Sequence, residues 1–135
     1  MPIPFPSHEW VKAFQDRLNN SASYADVAKN WESDVLFHIE YPDGSIQLLY
    51  MDLWHGQCRD AYQVPLEGRD KKAAFRLTAP LANFVKILKG ELEAIQAMMT
   101  GKLKVQGNMV VMLKNIPTVL EFVRVAQQVE TDFPK

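Results

Sequence analysis

The chain has 135 residues, of which 47% are hydrophobic and 23% charged, and its formal net charge is -1. These values are typical of one globular domain, taken as residues 1–135, and they exclude disordered, collagen-like and coiled-coil chains. They also exclude the strongly basic surface of a duplex-binding protein, so no nucleic-acid partner is expected. A single cysteine, with no signal-peptide pattern and no long apolar run, predicts a cytoplasmic protein without disulfides.

The charged residues are distributed unevenly along the chain. Residues 1–67 carry ten acidic and four basic side chains, whereas residues 68–135 carry six acidic and eleven basic ones. Only the second half can therefore present a basic face to an anionic partner.

Two amphipathic helices are predicted near the start of the chain. The prolines at positions 2, 4 and 6 predict an irregular opening. Ser7 can cap a helix whose apolar residues repeat with helical spacing up to Asn19. Ser23 can cap a second, shorter helix that turns Tyr24 and Trp31 inward.

A sheet is predicted from residue 34 onwards, where the apolar period changes to two. Val35, Phe37 and Ile39 share one face of the first strand. Residues 45–55 are apolar on both faces, which is typical of a strand covered on both sides. Shorter strands are predicted at 61–65 and 73–79, and an antiparallel meander is the simplest way to connect them.

Two helices and a short strand are predicted between residues 80 and 105. Pro80 suits the first turn of a helix that carries Phe84 and Leu88 on its apolar face. The helical period repeats at 91–99, and apolar residues then alternate with lysines at 102–106, as in a short strand.

The chain is predicted to end in two helices. Residues 109–113 are apolar without alternation and suit either a helix or a strand, and Asn108 as a cap favours a short helix. Pro117 opens a last helix that runs to about residue 129. Apolar residues cover most of the circumference of this helix, so we expect more than one contact to bury them.

The run Gly-Lys-Leu-Lys-Val-Gln-Gly-Asn-Met at residues 101–109, preceded by the helix at 84–88, resembles the sterol carrier protein type two (sterol-binding) domain family in its stand-alone prokaryotic form. The segments at 23–31 and 52–56 are also similar to that family. The resemblance implies an α+β fold in which a five-stranded, mostly antiparallel sheet is covered by helices and encloses an apolar tunnel. It further implies a fatty acid, acyl-CoA, sterol-like or isoprenoid ligand.

Methionine is concentrated where the resemblance places the tunnel. Four of the six methionines lie between residues 98 and 112, and unbranched thioethers adapt to ligands of varied shape. The alternative interpretation of these residues is ordinary core packing. The predicted ligand-binding residues are Trp54, Phe84, Leu88, Ile95, Met98, Met99, Leu103, Val105, Met109, Met112 and Phe122, with Val125 as a further contact of the last helix.

Asp52, His55 and Cys58 invite interpretation as a catalytic triad, because a thiolate needs a base and the base needs an orienting acid. In a strand, however, Asp52 and His55 point to opposite faces, so we expect no catalytic site there. His8 and His38 have no carboxylate at ligand spacing on a helix, and no glycine-rich phosphate loop is present. The protein is therefore predicted not to be an enzyme and to use no metal or other cofactor.

Five lysines, at positions 86, 89, 102, 104 and 114, surround the tunnel segments in sequence. They can meet an anionic headgroup or make transient contact with an anionic membrane, or they form an ordinary solvated face. We predict non-catalytic lipid binding or lipid transfer. The alternative is an accessory or scaffold protein that presents a lipid to biosynthetic enzymes. The last helix then either covers the tunnel mouth or joins two copies into a homodimer.

Overall fold

The computed structural model describes residues 1–134. Among these residues, no helix combines the length and the apolar content that crossing a bilayer requires. The helices are α1 (His8–Asn19), α2 (Ala22–Val27), α3 (Leu81–Leu88), α4 (Ala94–Met99), α5 (Met109–Lys114) and α6 (Ile116–Gln128), with one 3-10 turn at Leu66–Gly68. The strands are β1 (Ile3–Pro4), β2 (Val35–Glu40), β3 (Ile46–Trp54), β4 (Gln57–Val64), β5 (Phe75–Pro80), β6 (Lys104–Gln106) and β7 (Thr131–Asp132).

Five strands form one mixed sheet in the order β4-β3-β2-β5-β6. The β2–β3, β3–β4 and β5–β6 pairs are antiparallel, whereas β2 and β5 run parallel, with Val35 opposite Phe75. The predicted α+β class and the mostly antiparallel five-stranded sheet are confirmed. The predicted meander is wrong, because β5 lies on the far side of β2 and not beside β4.

The segment between β4 and β5 accounts for this topology. Residues 65–74 carry the chain over the outer face of the sheet, from β4 at one edge past β3 and β2 to β5. On that face Leu36, Leu48 and Val64 are buried, and Ala73 of the crossing segment packs against them. The apolar residues on both faces of β3 are therefore both used, one set against the helices and the other under this segment.

The prediction of an irregular opening is wrong. Residues Ile3–Pro4 form β1, which pairs in parallel with β7. The N–H of Ile3 donates to the carbonyl of Glu130 at 2.9 Å, and the N–H of Phe5 donates to that of Asp132 at 3.1 Å. Alternate N–H groups of a strand point to the same side, so Pro4, which lies between these two donors, falls on the side without a partner strand. The position of Pro4 thus suits an edge strand.

Serine side chains cap the first two helices by accepting hydrogen bonds from nearby backbone N–H groups. Ser7 caps α1 as predicted, since its Oγ accepts from the N–H of Trp10 at 3.0 Å. Ser23 is the predicted cap of α2, and this prediction is wrong, because Ser21 caps the helix. Ser21 Oγ accepts from the N–H of Tyr24 at 3.1 Å, and the backbone of Ser21 is extended just before the helix begins. Ser23 lies inside α2 and donates instead to a carboxylate of α6 at 2.6 Å.

α6 occupies the middle of the helical layer. It contacts α1, α2, α3, α4 and α5, and Val119, Val125 and Ala126 are buried in these contacts. Leu120 remains exposed, at 45%. Most of the apolar surface around this helix is therefore covered by the chain itself. The role of the helix as a lid or as a contact between two copies stays a prediction.

Candidate functional site

An apolar cavity of about 100 Å³ lies between the inner face of the sheet and the helical layer. Strands β2, β3 and β5 supply one side of the lining, and all six helices contribute to the rest. The lining residues are Phe5, Trp10, Phe14, Tyr24, Trp31, Val35, Phe37, Ile39, Leu49, Leu53, Leu77, Phe84, Ile87, Leu88, Ala94, Met98, Leu103, Met112, Thr118, Val119, Phe122, Val123 and Ala126.

Six aromatic rings form a continuous row in this lining, which we call the aromatic wall. Neighbouring ring centres are 4.8 to 6.2 Å apart, within the range of favourable ring contacts. Phe122 links the rings of α1 to those of the sheet, because it contacts both Phe14 and Phe37. In order of contact the rings are Phe5, Trp10, Phe14, Phe122, Phe37 and Phe84.

A second part of the lining, which we call the methionine wall, is formed by Met98, Leu103 and Met112. Met98 belongs to α4 and Met112 to α5, helices of six residues each. Helices this short depend on tertiary contacts for their stability, and methionine side chains have more rotatable bonds than any other apolar side chain. This wall can therefore change shape at lower cost than the aromatic wall.

Three of the lining side chains, Trp10, Trp31 and Thr118, bond their polar atoms to partners outside the lining. The Thr118 hydroxyl donates to a carbonyl of α2 at 2.7 Å. The indole N–H of Trp10 donates to the hydroxyl of Thr131 at 2.9 Å, and that of Trp31 donates to a carbonyl before β2 at 2.7 Å. Burial raises the pKa of the Tyr24 hydroxyl well above its ordinary value, so this group is neutral at physiological pH. The cavity offers its occupant mainly carbon.

An open groove of about 210 Å³ lies between α6 and residues 90–94, the segment that leads from α3 into the first residue of α4. Ala94 and Val123 line both the groove and the cavity, so these two side chains separate the cavity from the surface. On the α6 side of the groove, the amide of Gln127 donates to the carbonyl of Ile87 at 2.9 Å and ties α6 to α3.

The predicted ligand-binding residues divide into those that line the cavity and those that do not. Phe84, Leu88, Met98, Leu103, Met112 and Phe122 line it. Ile95, Val105 and Met109 are partly buried and pack against the core outside the lining, and Val125 is buried there too. Their role as ligand contacts stays a prediction.

Trp54 and Met99 lie outside the cavity on the protein surface, with 38% and 67% of their area exposed. Each follows a residue that lines the cavity, Leu53 in β3 and Met98 in α4. Successive side chains of a strand or a helix point in different directions, so both neighbours turn outward. Trp54 instead stacks between the His55 ring and the guanidinium of Arg59.

Sequence patterns identified the aromatic wall only in part: Phe84 and Phe122 are among the predicted ligand-binding residues, whereas Trp10 and Phe14 are not. Trp10 and Phe14 belong to the predicted packing face of the first helix, and Trp31, a lining residue outside the aromatic wall, is predicted to turn inward from the second. All three do pack in the core, with at most 6% of their area exposed. The available signal was the number of aromatic residues on these faces, because rings are large and rigid and leave gaps that smaller side chains would fill.

The groups of the suspected triad bond to separate partners. The carboxylate of Asp52 pairs with Arg59 at 3.1 Å, and His55 Nε2 lies 2.5 Å from a carboxylate oxygen of Glu32. Cys58 is 1% exposed, and its Sγ donates to a backbone carbonyl at 3.3 Å. Burial, followed by the negative charge of Asp52, raises the pKa of the Cys58 thiol to about 12. The thiol is therefore protonated and not activated as a nucleophile.

Histidine, cysteine and acidic side chains do not gather into a group of three or more suited to a metal ion anywhere in residues 1–134.

The SCP-2 sterol transfer family matches residues 11–119. The chain belongs to this family. The resemblance predicted from the run at residues 101–109 is thus confirmed.

Solved structures share the fold over nearly the whole chain. The sterol carrier protein 2 of one crystal structure is 30% identical in sequence to this chain. The match has a TM-score of 0.84 and covers 91% of this chain and 97% of that one. A conserved hypothetical protein of Thermus thermophilus is 31% identical, with a TM-score of 0.81 over 92% of this chain and 88% of the other. A palmitated sterol carrier protein of Aedes aegypti is 18% identical, with a TM-score of 0.52 over 82% and 93%. No protein with a curated function is similar enough in sequence to count as a match.

Proposed function

We propose that this protein is a non-catalytic lipid carrier that holds a fatty acyl, sterol-like or isoprenoid chain in the apolar cavity. The observation that carries the proposal is the mainly carbon lining, in which Trp10, Trp31 and Thr118 direct their polar atoms to partners outside the cavity. Each methylene group moved from water into such a site contributes about 0.8 kcal/mol, so a long chain binds without polar contacts. Affinity then depends on apolar area, and selectivity among chains is modest.

The volume of the cavity requires the protein to change shape when it binds. Sites for small ligands commonly measure about 300–1,000 Å³, whereas this cavity measures about 100 Å³. The methionine wall and the adjoining groove at Ala94 are where expansion costs least, because α4 is short and its neighbouring groove is already open. Membership of the family, and the palmitate held by a protein of the same fold, support an acyl chain as one ligand.

A displacement assay tests the proposal. A fluorescent fatty acid should bind the purified protein and be displaced by unlabelled acyl chains, and mass spectrometry of lipids extracted from denatured protein should identify the natural occupant. Ala94→Leu adds three carbons at the cavity and should weaken binding about tenfold or more, because it fills part of the available space. Ala22→Leu adds the same atoms at an exposed position of α2 and should leave binding unchanged.

Absence of both binding and co-purified lipid across fatty acid, sterol and isoprenoid classes would reject the proposal. Circular dichroism must show that both variants are folded. The alternative function, presentation of a lipid to biosynthetic enzymes, uses the same cavity and differs in its partner. An enzyme that co-purifies in fixed proportion with the protein would favour that alternative.

A further inference from the structure

The Tyr24 hydroxyl differs from the other polar groups of the cavity lining. Four lining residues carry a side-chain nitrogen or oxygen, namely Trp10, Tyr24, Trp31 and Thr118. Trp10, Trp31 and Thr118 each donate a hydrogen bond to an acceptor outside the lining, at 2.7 to 2.9 Å. The Tyr24 hydroxyl forms no hydrogen bond with any group of residues 1–134. Within these residues it is therefore the one such lining group that is available to an occupant.

The side chain of Tyr24 is buried and packed against the aromatic wall. Only 1% of its area is exposed, and its ring centre lies 6.3 Å from that of Phe122. A buried hydroxyl without a partner costs free energy, and native structures contain few such groups. Side-chain nitrogens and oxygens that are fully enclosed within residues 1–134 all have partners, so the Tyr24 oxygen borders a small free space. A polar atom of a bound molecule can occupy that space.

The surroundings of this hydroxyl are uncharged. Within residues 1–134, no acidic or basic side chain lines the cavity. Burial, followed by the nearby Cys58 thiol, raises the pKa of Tyr24, and the thiol is itself protonated. A carboxylate brought to this position would lose its hydration without gaining a cation. An uncharged oxygen needs only the hydrogen bond that Tyr24 offers, because a phenolic hydroxyl both donates and accepts.

We propose that Tyr24 binds the polar atom of an uncharged lipid inside the cavity, either an alcohol hydroxyl or the carbonyl of an ester or ketone. This inference rests on the proposed lipid-carrier function and specifies the class of ligand. The apolar part of a ligand supplies most of the affinity and is the same for molecules of equal chain length. The hydrogen bond to Tyr24 then distinguishes them, because a molecule without an uncharged oxygen at this depth leaves the hydroxyl unpaired. A fatty acid can still enter with its carboxylate directed away from Tyr24.

Two ligands that differ by one hydroxyl group test the proposal together with one variant. Dodecan-1-ol and dodecane should each displace the fluorescent fatty acid, whose own affinity is titrated directly for each protein. Tyr24→Phe removes only the hydroxyl oxygen and keeps the ring. It should weaken dodecan-1-ol binding about fivefold or more, since one buried hydrogen bond is lost, and leave dodecane binding within about twofold. Dodecanoate should behave as dodecane does, because its carboxylate does not bind at Tyr24.

Thr118→Val is the matched control. It also removes a hydroxyl from the lining, but this hydroxyl already donates to the carbonyl of Val27. Thr118→Val should therefore lower the urea midpoint of unfolding and leave the ratio of dodecan-1-ol to dodecane affinity within about twofold. Tyr24→Phe should leave the midpoint unchanged or raise it, since the Tyr24 hydroxyl has no partner in residues 1–134 to lose.

Three outcomes would overturn the proposal. Unchanged affinity of Tyr24→Phe for dodecan-1-ol would show that the hydroxyl does not contact the ligand. Equal weakening for dodecan-1-ol and dodecanoate would show that the position accepts a charged group. A lowered midpoint with equal weakening for all three ligands would assign the hydroxyl to a structural water. In each case the unchanged protein still binds lipid, so the lipid-carrier proposal stands, whereas absence of binding by the unchanged protein rejects the carrier itself.

Discussion

The aromatic wall and the methionine wall enclose one cavity but differ in the flexibility of their side chains. Trp10 and Phe14 of the aromatic wall lie on a helix of twelve residues and are at most 4% exposed. Met98 and Met112 lie on helices of six residues whose next residues face solvent. The rings contact one another in a continuous row, whereas Met98 lies on a helix whose first residue, Ala94, lines an open groove.

This difference shows how one small domain can be both stable and adaptable. Interdigitated rings lose much contact energy when they separate, so the aromatic wall maintains the position of α1 and α6 against the sheet. Methionine fills irregular space at little cost, so the methionine wall can make room for a ligand. Stability and adaptability thus belong to different residues of the same lining.

Truncation of a ring should have the largest effect. Phe14→Ala should lower the free energy of unfolding by about 3–5 kcal/mol, because it removes a buried ring and leaves a gap between Trp10 and Phe122. Met98→Ala should cost less than about 2 kcal/mol, because Met98 is partly exposed and its surroundings can relax. Urea unfolding of both variants measures the difference. Equal losses would remove the distinction between the walls.

The turn at Gly107, where the chain passes from β6 to α5, should be the next most sensitive position. Gly107 has φ +148°, and a Cβ built on it would lie 2.4 Å from Phe75 Cδ1 and 2.6 Å from the carbonyl of Ala74. Gly107→Ala should therefore cost at least about 2 kcal/mol of unfolding free energy. Gly101→Ala is the control, since Gly101 also has positive φ but open space around it, and should cost about 1 kcal/mol. Thermal or urea unfolding that ranks Gly101 as the more costly site would show that the turn is not held against the sheet.

Stiffening of the methionine wall should change selectivity more than stability. Met98→Leu/Met112→Leu conserves volume and should alter the free energy of unfolding by less than about 1.5 kcal/mol. Because leucine adapts less well, the ratio of affinities for a sterol and for a straight acyl chain should fall about threefold or more. Ile87→Leu makes a similar change at another lining position and should leave the ratio unchanged. Displacement titrations with both ligands decide between these outcomes.

Residues away from both walls should have the smallest effect on ligand binding. Cys58→Ala and His55→Ala should leave affinity for the fluorescent fatty acid within about twofold, because neither side chain lines the cavity. A loss above about tenfold with the fold intact would mean that the turn after β3 contributes to the site.

The titration of Cys58 provides a second measurement at this position. Its pKa is raised to about 12, mainly by burial, whereas an exposed thiol titrates near 8.5. Between these values the unfolded chain releases a proton that the folded chain retains, so this group favours unfolding increasingly as pH rises through that range. At about pH 9, iodoacetamide should label Cys58 in urea and react slowly with the folded protein. Fast labelling of the folded protein would contradict the buried position.

Local patterns were sufficient for most helices and strands. Asn108 caps α5, as its spacing predicted, because Asn108 Oδ1 accepts from the N–H of Val110 at 2.9 Å, a contact between close neighbours in sequence. The parallel position of β5 beside β2 and the pairing of β1 with β7 were missed. Ile3 lies opposite Thr131, and no local period encodes a contact over such a separation.

The candidate site was predicted only in part, for a related reason. The enrichment in methionine pointed to Met98 and Met112, which line the cavity. Trp10 and Phe14 carry the same helical spacing whether they fill a core or line a space within it, so periodicity could not distinguish the two. The difference depends on how rings from distant segments fit together, which is a property of the folded chain.

The pairing of β1 with β7 gives the molecule a defined response to mechanical force. Because these terminal strands run parallel, tension on the two ends of the chain pulls along both strands in opposite directions. The hydrogen bonds made by Ile3 and Phe5 then resist together in shear, instead of opening one after the other. The hydroxyl of Thr131 also accepts a hydrogen bond from the indole of Trp10, so the tension reaches the aromatic wall through α1 before it reaches the central strands.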